Sequence, residues 1–395
     1  MTDLQPISLS LRSLAVFRRL LEDSVIKKLC ALTEARELPA PEQVSRYADF
    51  AAALFENSTN LTDYVWSRIM EDDNIYVQKR AQRQPAGDVL EACVNNELAV
   101  LQTAAQLTPS DIRAHIRYDG FLPDWQTSDT NFSDGFTQLM ETITVTGCGV
   151  FARHTMLRVK DGAVVPVTNP DPIRLADLKG YERQKQAVTN NTLALLSGKP
   201  AANALLYGDA GTGKSSTVKA LANEYCGQGL RLIEIGKHQI GDIPSIMEQL
   251  SRNPLKFIVF IDDLSFSQQT DDFNAFKAVL EGSVSSRATN IVIYATSNRR
   301  HIVKELFSDR EGDDIHRNET IQELSSLSHR FGLTVGFFKP DKKAYLDIVH
   351  ALKNDYGIQM DDALLDLEAE RFASSGRSPR MARQFIDSLR RNEST

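Results

Sequence analysis

The run Gly208-Asp-Ala-Gly-Thr-Gly-Lys-Ser215 sets glycine, four residues, glycine, lysine and serine in the order of a phosphate-binding loop. Glycines let the main chain close around phosphate oxygens and turn its N–H groups toward them, helped by the positive end of a following helix. The expected nucleotide contacts are Gly208, Asp209, Ala210, Gly211, Thr212, Gly213, Lys214, Ser215 and the adjoining Ser216. Lys214, expected at a surface site rather than in the core, would reach the β- and γ-phosphates, and the Ser215 hydroxyl would sit on Mg²⁺. A second chemical group closes the apolar run Phe257-Ile-Val-Phe-Ile261, which ends in Asp262 and Asp263. A carboxylate at such a strand tip holds the metal shell, the role expected of Asp262, and the next one polarises an attacking water, the role expected of Asp263. The run Asn290-Ile-Val-Ile-Tyr-Ala-Thr-Ser-Asn298 ends in an amide that either orients water at the γ-phosphate or caps a helix starting near His301. Together these groups could bind a nucleotide with Mg²⁺ and bring water to its γ-phosphate.

Such groups work only if strands and helices hold them in place. Ahead of the loop, Ala204-Leu-Leu-Tyr207 has the length of a buried strand, and behind it Thr217 to Tyr225 has helical spacing. Arg231-Leu-Ile-Glu-Ile235 is the next strand, so from Arg174 onward strands and helices alternate, which predicts a mostly parallel sheet between helices. The earlier part of the chain reads as helical. Leu14, Phe17, Leu21, Val25, Leu29 and Leu32 recur at steps of three and four, and Pro41 opens a second stripe with Val44, Tyr47, Ala51 and Leu54. Further helices are expected over Leu61 to Met70 and Asp88 to Leu107, the latter with Val89, Cys93, Val94, Leu98 and Leu101 facing the core. Gly149 to Val159 and Ala163 to Val167 flank Lys160-Asp161-Gly162, the pattern of a β-hairpin, and Pro166 makes its second strand an edge. Two prolines in Thr168-Asn-Pro-Asp-Pro172 mark a linker.

Composition narrows the class of protein. The 395 residues are 42% hydrophobic and 25% charged, an ordinary globular balance long enough for two or three domains. A net charge of -7 gives no general attraction to nucleic acid or to an anionic membrane. Cys30, Cys93, Cys148 and Cys226 have no metal or redox spacing, which suits a reducing compartment. The opening Met-Thr-Asp-Leu-Gln-Pro lacks a basic region followed by an apolar run, and no apolar stretch approaches the ~20 residues of a membrane span, so a cytoplasmic protein is expected.

A strand between the phosphate-loop strand and the acid strand, followed by a strand ending in a polar residue, resembles the AAA+ ATPase superfamily. Ser328-His-Arg330-Phe-Gly-Leu-Thr-Val335 resembles its arginine-finger box, and Gly376-Arg-Ser-Pro-Arg380-Met-Ala-Arg383 resembles its second sensor, at the start of a lid helix. Leu178-Lys-Gly-Tyr-Glu-Arg183 looks like the segment that packs on adenine, through Leu178, Gly180 and Tyr181. Asp171-Pro, Gly198-Lys-Pro, Asp262-Asp-Leu-Ser-Phe266 and Ala295-Thr-Ser-Asn-Arg-Arg300 narrow the likeness to a bacterial ATP-binding AAA+ family that carries only a domain-of-unknown-function label.

The resemblance implies an α/β fold: an AAA+ P-loop αβα sandwich with a C-terminal helical lid and a mainly helical N-terminal domain carrying a β-hairpin. The expected boundaries are 1–147 for the helical domain, 148–173 for the hairpin and linker, 174–340 for the nucleotide-binding domain and 341–395 for the lid. It also implies ATP and Mg²⁺ as cofactors, a homo-oligomer, Arg330 as finger with Arg299 and Arg300 as rivals, and Arg380 leaning toward phosphate. Arg377 and Arg383 are weaker candidates, and Ser308 to His316 reads as an exposed insertion. Two departures shape the functional expectation. The acid strand ends Asp-Asp where the superfamily has Asp-Glu, and a catalytic group misplaced by ~1 Å can lose ~100-fold in rate, so slow hydrolysis is expected. Gly236-Lys-His-Gln-Ile-Gly-Asp242 has no aromatic residue to grip a threaded polypeptide. The expected function is an ATPase that remodels or loads an unidentified protein partner; the alternatives are an ATP-gated switch with little hydrolysis and a DNA-linked loader.

Overall fold

The computed structural model describes residues 4–264, 276, 278–280, 289–298 and 330–393. Arg299, Arg300, the helix start near His301, the Ser308 to His316 insertion, and Ser328 and His329 of the finger box lie outside the described residues. The chain divides into two compact units, Met1–Arg153 and His154–Thr395.

The first unit is helical: α1 (Gln5–Arg12), α2 (Ser24–Thr33), α3 (Ala40–Phe55), α4 (Leu61–Glu71), α5 (Ile75–Ala81), α6 (Asp88–Ala105), α7 (Pro109–Arg113), α8 (Phe132–Thr146) and α9 (Val150–Arg153). The first apolar stripe is not one continuous helix. Asp23 accepts hydrogen bonds from the N–H groups of Val25 and Ile26, so α2 starts afresh there, while Leu14, Phe17, Val25, Leu29 and Leu32 all still reach the core. On α6 the stripe holds for Val94, Leu98 and Leu101, but Val89 is 87% exposed because the first turn runs past the packed face. Glu97 occupies that face instead. Its carboxylate accepts from the backbone N–H groups of Ala15, Val16 and Phe17, which lack helical partners in the turn after α1.

The second unit contains β1 (Met156–Lys160), β2 (Ala163–Pro166), α10 (Glu182–Leu196), β3 (Ala204–Gly208), α11 (Lys214–Tyr225), β4 (Leu230–Glu234), α12 (Ile243–Ser251), β5 (Lys256–Ile261), β6 (Ile291–Asn298), β7 (Leu333–Phe337), α13 (Lys342–Tyr356), α14 (Asp362–Phe372) and α15 (Pro379–Glu393). Its described strands form one sheet in the order β2-β1-β4-β5-β6-β3-β7. Every pairing is parallel except β1 with β2. Central strands buried on both faces explain the unbroken apolar runs Phe257 to Ile261 and Ile291 to Ala295.

The hairpin turns at Asp161 and Gly162, both with positive φ of 51° and 75°, the geometry that favours Asp-Gly. It joins the sheet: Met156 to Arg158 pair with Leu232 to Glu234, and β2 with Pro166 forms the outer edge. Its first strand is shorter than the sequence pattern suggests, because Val150–Arg153 coils into α9. The lid, α13 to α15, packs around its own core of Tyr345, Val349, Leu365 and Ile386. This is an α/β sandwich carrying a helical lid.

Candidate functional site

Where β3 ends, the phosphate loop turns sharply to start α11. Gly208 is forced there by contact: a Cβ would lie 2.0 Å from the Phe337 carbonyl oxygen on β7, and its φ is 130°. Asp209 continues the seam, its N–H donating to that same carbonyl at 2.9 Å and its carboxylate accepting from Lys339 N–H at 2.9 Å. Gly208→Ala is therefore expected to destabilise the second unit by more than ~2 kcal/mol, since a backbone clash has no flexible side chain to yield. An unchanged melting temperature would contradict the observed approach of β3 to β7.

A cavity of about 410 Å³ opens against this loop, within the size range of small-ligand sites. Of the expected residues it brings together Leu178, Gly180, Tyr181, Ala210, Gly211, Thr212, Gly213, Lys214, Ser215, Ser216, Asp262, Asp263, Asn298 and Arg380. Gly208 and Asp209 stand behind it, supporting the loop rather than lining the cavity. Arg330, just ahead of β7 and partly buried, is not part of the lining either.

Lys214 is not at the surface as the sequence suggested; it is only 7% exposed. Its ammonium donates to the Gly208 carbonyl at 3.0 Å, the Asp209 carbonyl at 2.8 Å and the Asn298 side-chain oxygen at 3.1 Å. Burial lowers its pKa below the usual lysine value, while Asp209, Asp262 and Asp263 pull it back up and Arg380 lowers it further. Anionic phosphate would relieve the first effect.

The two acids occupy different surroundings. Asp262 Oδ1 accepts from the Ser215 hydroxyl at 2.6 Å and from the Thr296 hydroxyl at 2.6 Å. Asp263 adopts φ of 53°, a left-handed turn rare outside glycine, and its N–H donates to Thr296 Oγ1 at 2.8 Å. Its carboxylate accepts from the Asn298 amide at 2.9 Å and faces the Lys237 ammonium at 3.3 Å. Asn298 thus links Lys214 to Asp263.

Ser215 and Asp262 bring a hydroxyl and a carboxylate to one point, the hard-oxygen donors that magnesium prefers. Among the described residues no group of three or more His, Cys, Asp or Glu could hold a metal ion. The pair therefore fits an ion that takes its remaining ligands from phosphate and water, which is how Mg²⁺ accompanies nucleotides.

Leu178, Tyr181, Phe337, Ile348 and Leu352 supply the cavity with apolar lining, alongside the charged Asp177, Lys179 and Lys185. Tyr181 stacks on Phe337 with ring centroids 5.4 Å apart and donates its hydroxyl to the Phe338 carbonyl. Burial pushes its phenol pKa up to about 12, with Asp209 adding to the shift, so it stays a neutral donor. Ile348 and Leu352 from α13 join this lining, and Gly180 lets Ile348 approach, because a Cβ there would lie 2.9 Å from its Cδ1. The start of α15 docks directly on the loop, Arg380 N–H donating to the Gly211 carbonyl at 3.2 Å. Arg377 is turned away into a paired contact with Glu370, at 2.9 and 2.7 Å, whereas Arg383 lines the cavity. Sequence reading missed Ile348, Leu352, Phe337 and Thr296. The first three sit in ordinary apolar patterns, and Thr296 in a strand where threonine is a common former.

A parallel sheet with the phosphate loop between β3 and α11, paired acids on β5, an amide on the intervening β6 and a lid leaning on the loop defines a P-loop protein of the AAA+ class. More narrowly, the chain belongs to the family described as "Protein of unknown function (DUF815)", whose model matches residues 151–393. It is 27% identical over 166 residues to the 26S proteasome regulatory subunit 4 homolog of Saccharomyces cerevisiae, a match covering 36% of this chain and 37% of that protein. Among solved structures it is similar to the Thermotoga maritima RuvB Holliday junction branch migration motor at 16% identity and a TM-score of 0.36, covering 56% of this chain and 65% of that one. A point mutant of the same motor aligns at 15% identity with a TM-score of 0.38, covering 56% of this chain and 66% of the mutant. The chain therefore spans less than two thirds of each of these relatives. No described helix is long and apolar enough to cross a membrane.

Proposed function

We propose that this protein is a Mg²⁺-dependent ATPase that remodels or loads a protein partner as a homo-oligomer. The observation that carries the reading is the convergence on one cavity of the phosphate loop, the Ser215–Asp262 pair, Asp263 and the lid residue Arg380. Adenine packs against Leu178, Tyr181 and Ile348, with the phosphates running toward Lys214. Lys214 and Arg380 balance phosphate charge, while Ser215 and Asp262 would hold a magnesium ion, which would supply further charge neutralisation. Asp263 directs the attacking water, and Asn298 holds that carboxylate in place. Catalysis then comes from positioning and charge rather than a covalent step. Arg330 acts on the site of a neighbouring subunit, consistent with its place outside its own cavity.

The segment after β4 supports remodelling without threading. Ile240 is buried at 1% exposure and Gln239 donates to the Val159 carbonyl at 3.1 Å, so this segment packs on its own unit and offers no aromatic grip. One observation favours a second reading, an ATP-gated switch: the Asp263 carboxylate faces the Lys237 ammonium at 3.3 Å, a contact that competes with a water for the same oxygens. Phosphate release with and without Mg²⁺ separates the two. Metal-dependent turnover, raised when a partner recovered on ATP-trapped protein is added back, supports the ATPase; tight ATP binding with negligible turnover leaves the switch.

A further inference from the structure

Strand β6 lies between the phosphate-loop strand and the acid strand, paired with β3 on one side and β5 on the other. Residues two apart on a strand share a face, so Thr296 and Asn298 both face the same layer. Asn298 reaches Lys214 and the Asp263 carboxylate. Thr296, 1% exposed, makes the two remaining connections with a single hydroxyl: its hydrogen goes to Asp262 Oδ1 at 2.6 Å and its oxygen receives the Asp263 N–H at 2.8 Å. Ser215 completes the pattern by donating to the same Oδ1.

We infer that Thr296 is the positioning residue of this site: its hydroxyl fixes the Asp262 carboxylate beside Ser215 and pins the left-handed turn that presents Asp263. The inference rests on the nucleotide reading above. Two features of the site require such a brace. A carboxylate with a rotatable Cα–Cβ bond meets a metal–phosphate complex in one orientation only if something other than that complex holds it. Outside a tight hairpin turn, a non-glycine residue at φ of 53° carries a conformational cost that its contacts must offset, and Thr296 is the group that takes its N–H. A short hydroxyl side chain suits this place because its single oxygen donates to one acid and accepts from the backbone of the next. Valine has the same branched shape and the same strand preference but can do neither.

The test compares wild type, Thr296→Val and Thr296→Ser. Mn²⁺ affinity of protein loaded with a non-hydrolysable ATP analogue is read by electron paramagnetic resonance, and affinity for the analogue in EDTA is read separately. Thr296→Val is expected to weaken Mn²⁺ by ~10- to 100-fold, as loss of a supporting partner behind a metal ligand does, with metal-free nucleotide affinity kept. Thr296→Ser should recover most of the loss. Wild-type Mn²⁺ affinity in the valine variant would overturn the inference, as would loss of metal-free nucleotide binding in step with metal binding, or a serine variant no better than valine. A wild-type protein that takes up no Mn²⁺ with the analogue would instead overturn the nucleotide reading, and the inference with it.

Discussion

Asp263→Asn is expected to retain Mg-ATP while turnover falls by ~10²- to 10⁴-fold, the range associated with loss of a general base. The amide keeps the size of the carboxylate and one acceptor oxygen for the Asn298 amide, so the ground-state geometry changes little. What disappears is the negative charge that draws a proton from water. Because the loss falls on turnover and not on binding, kcat and kcat/KM should drop together while KM holds. Asp262→Asn should differ: it faces the Ser215 and Thr296 hydroxyls, and its loss should raise the Mg²⁺ requirement as well. Equal turnover in wild type and Asp263→Asn would assign water positioning to another group.

Arg330→Ala is expected to cut hydrolysis by ~10³-fold or more, the scale of an arginine supplied across an interface, and the loss should be reversible by mixing. A Lys214→Ala subunit brings an intact finger to a defective site, whereas an Arg330→Ala subunit brings a loaded site without its own finger. Mixed oligomers should recover activity where good finger meets good site, and specific activity should rise with concentration as subunits assemble. A mixture that stays inactive although subunits exchange, or normal hydrolysis by Arg330→Ala alone, would reject action in trans and move the test to Arg299 and Arg300.

Much of the site was legible because its chemistry is local in sequence. Gly208 to Ser215 follow one another, and Asp262 and Asp263 announce themselves as charges at the end of an apolar strand. The likeness to AAA+ proteins added Tyr181 and Arg380, which lie far from the loop in sequence yet line the same cavity. Residues whose roles depend on three-dimensional neighbours were not legible. Ile348 and Leu352 obey the helical spacing of a core stripe, and nothing in that period says their helix leans over a cavity. Thr296 reads as strand filler until its hydroxyl is seen between two acids. Lys214 was misplaced for a related reason: an ammonium is expected in water unless carbonyls such as those of Gly208 and Asp209 surround it. In the helical unit, periodicity located the faces of α3 and α6 but could not tell that α6 begins beyond its packing partners, or that Glu97 caps a distant turn.

Titration calorimetry of ATP with Mg²⁺ into wild type and Lys214→Ala tests the central claim most directly. The account predicts saturable binding to wild type and an affinity at least ~100-fold weaker in the variant, a difference of about 2.7 kcal/mol. Because Lys214 is buried, the variant's melting curve is recorded alongside, and it should still unfold cooperatively. Equal ATP affinity in the two folded proteins, or no binding by wild type, would contradict the assignment of this cavity to a nucleotide.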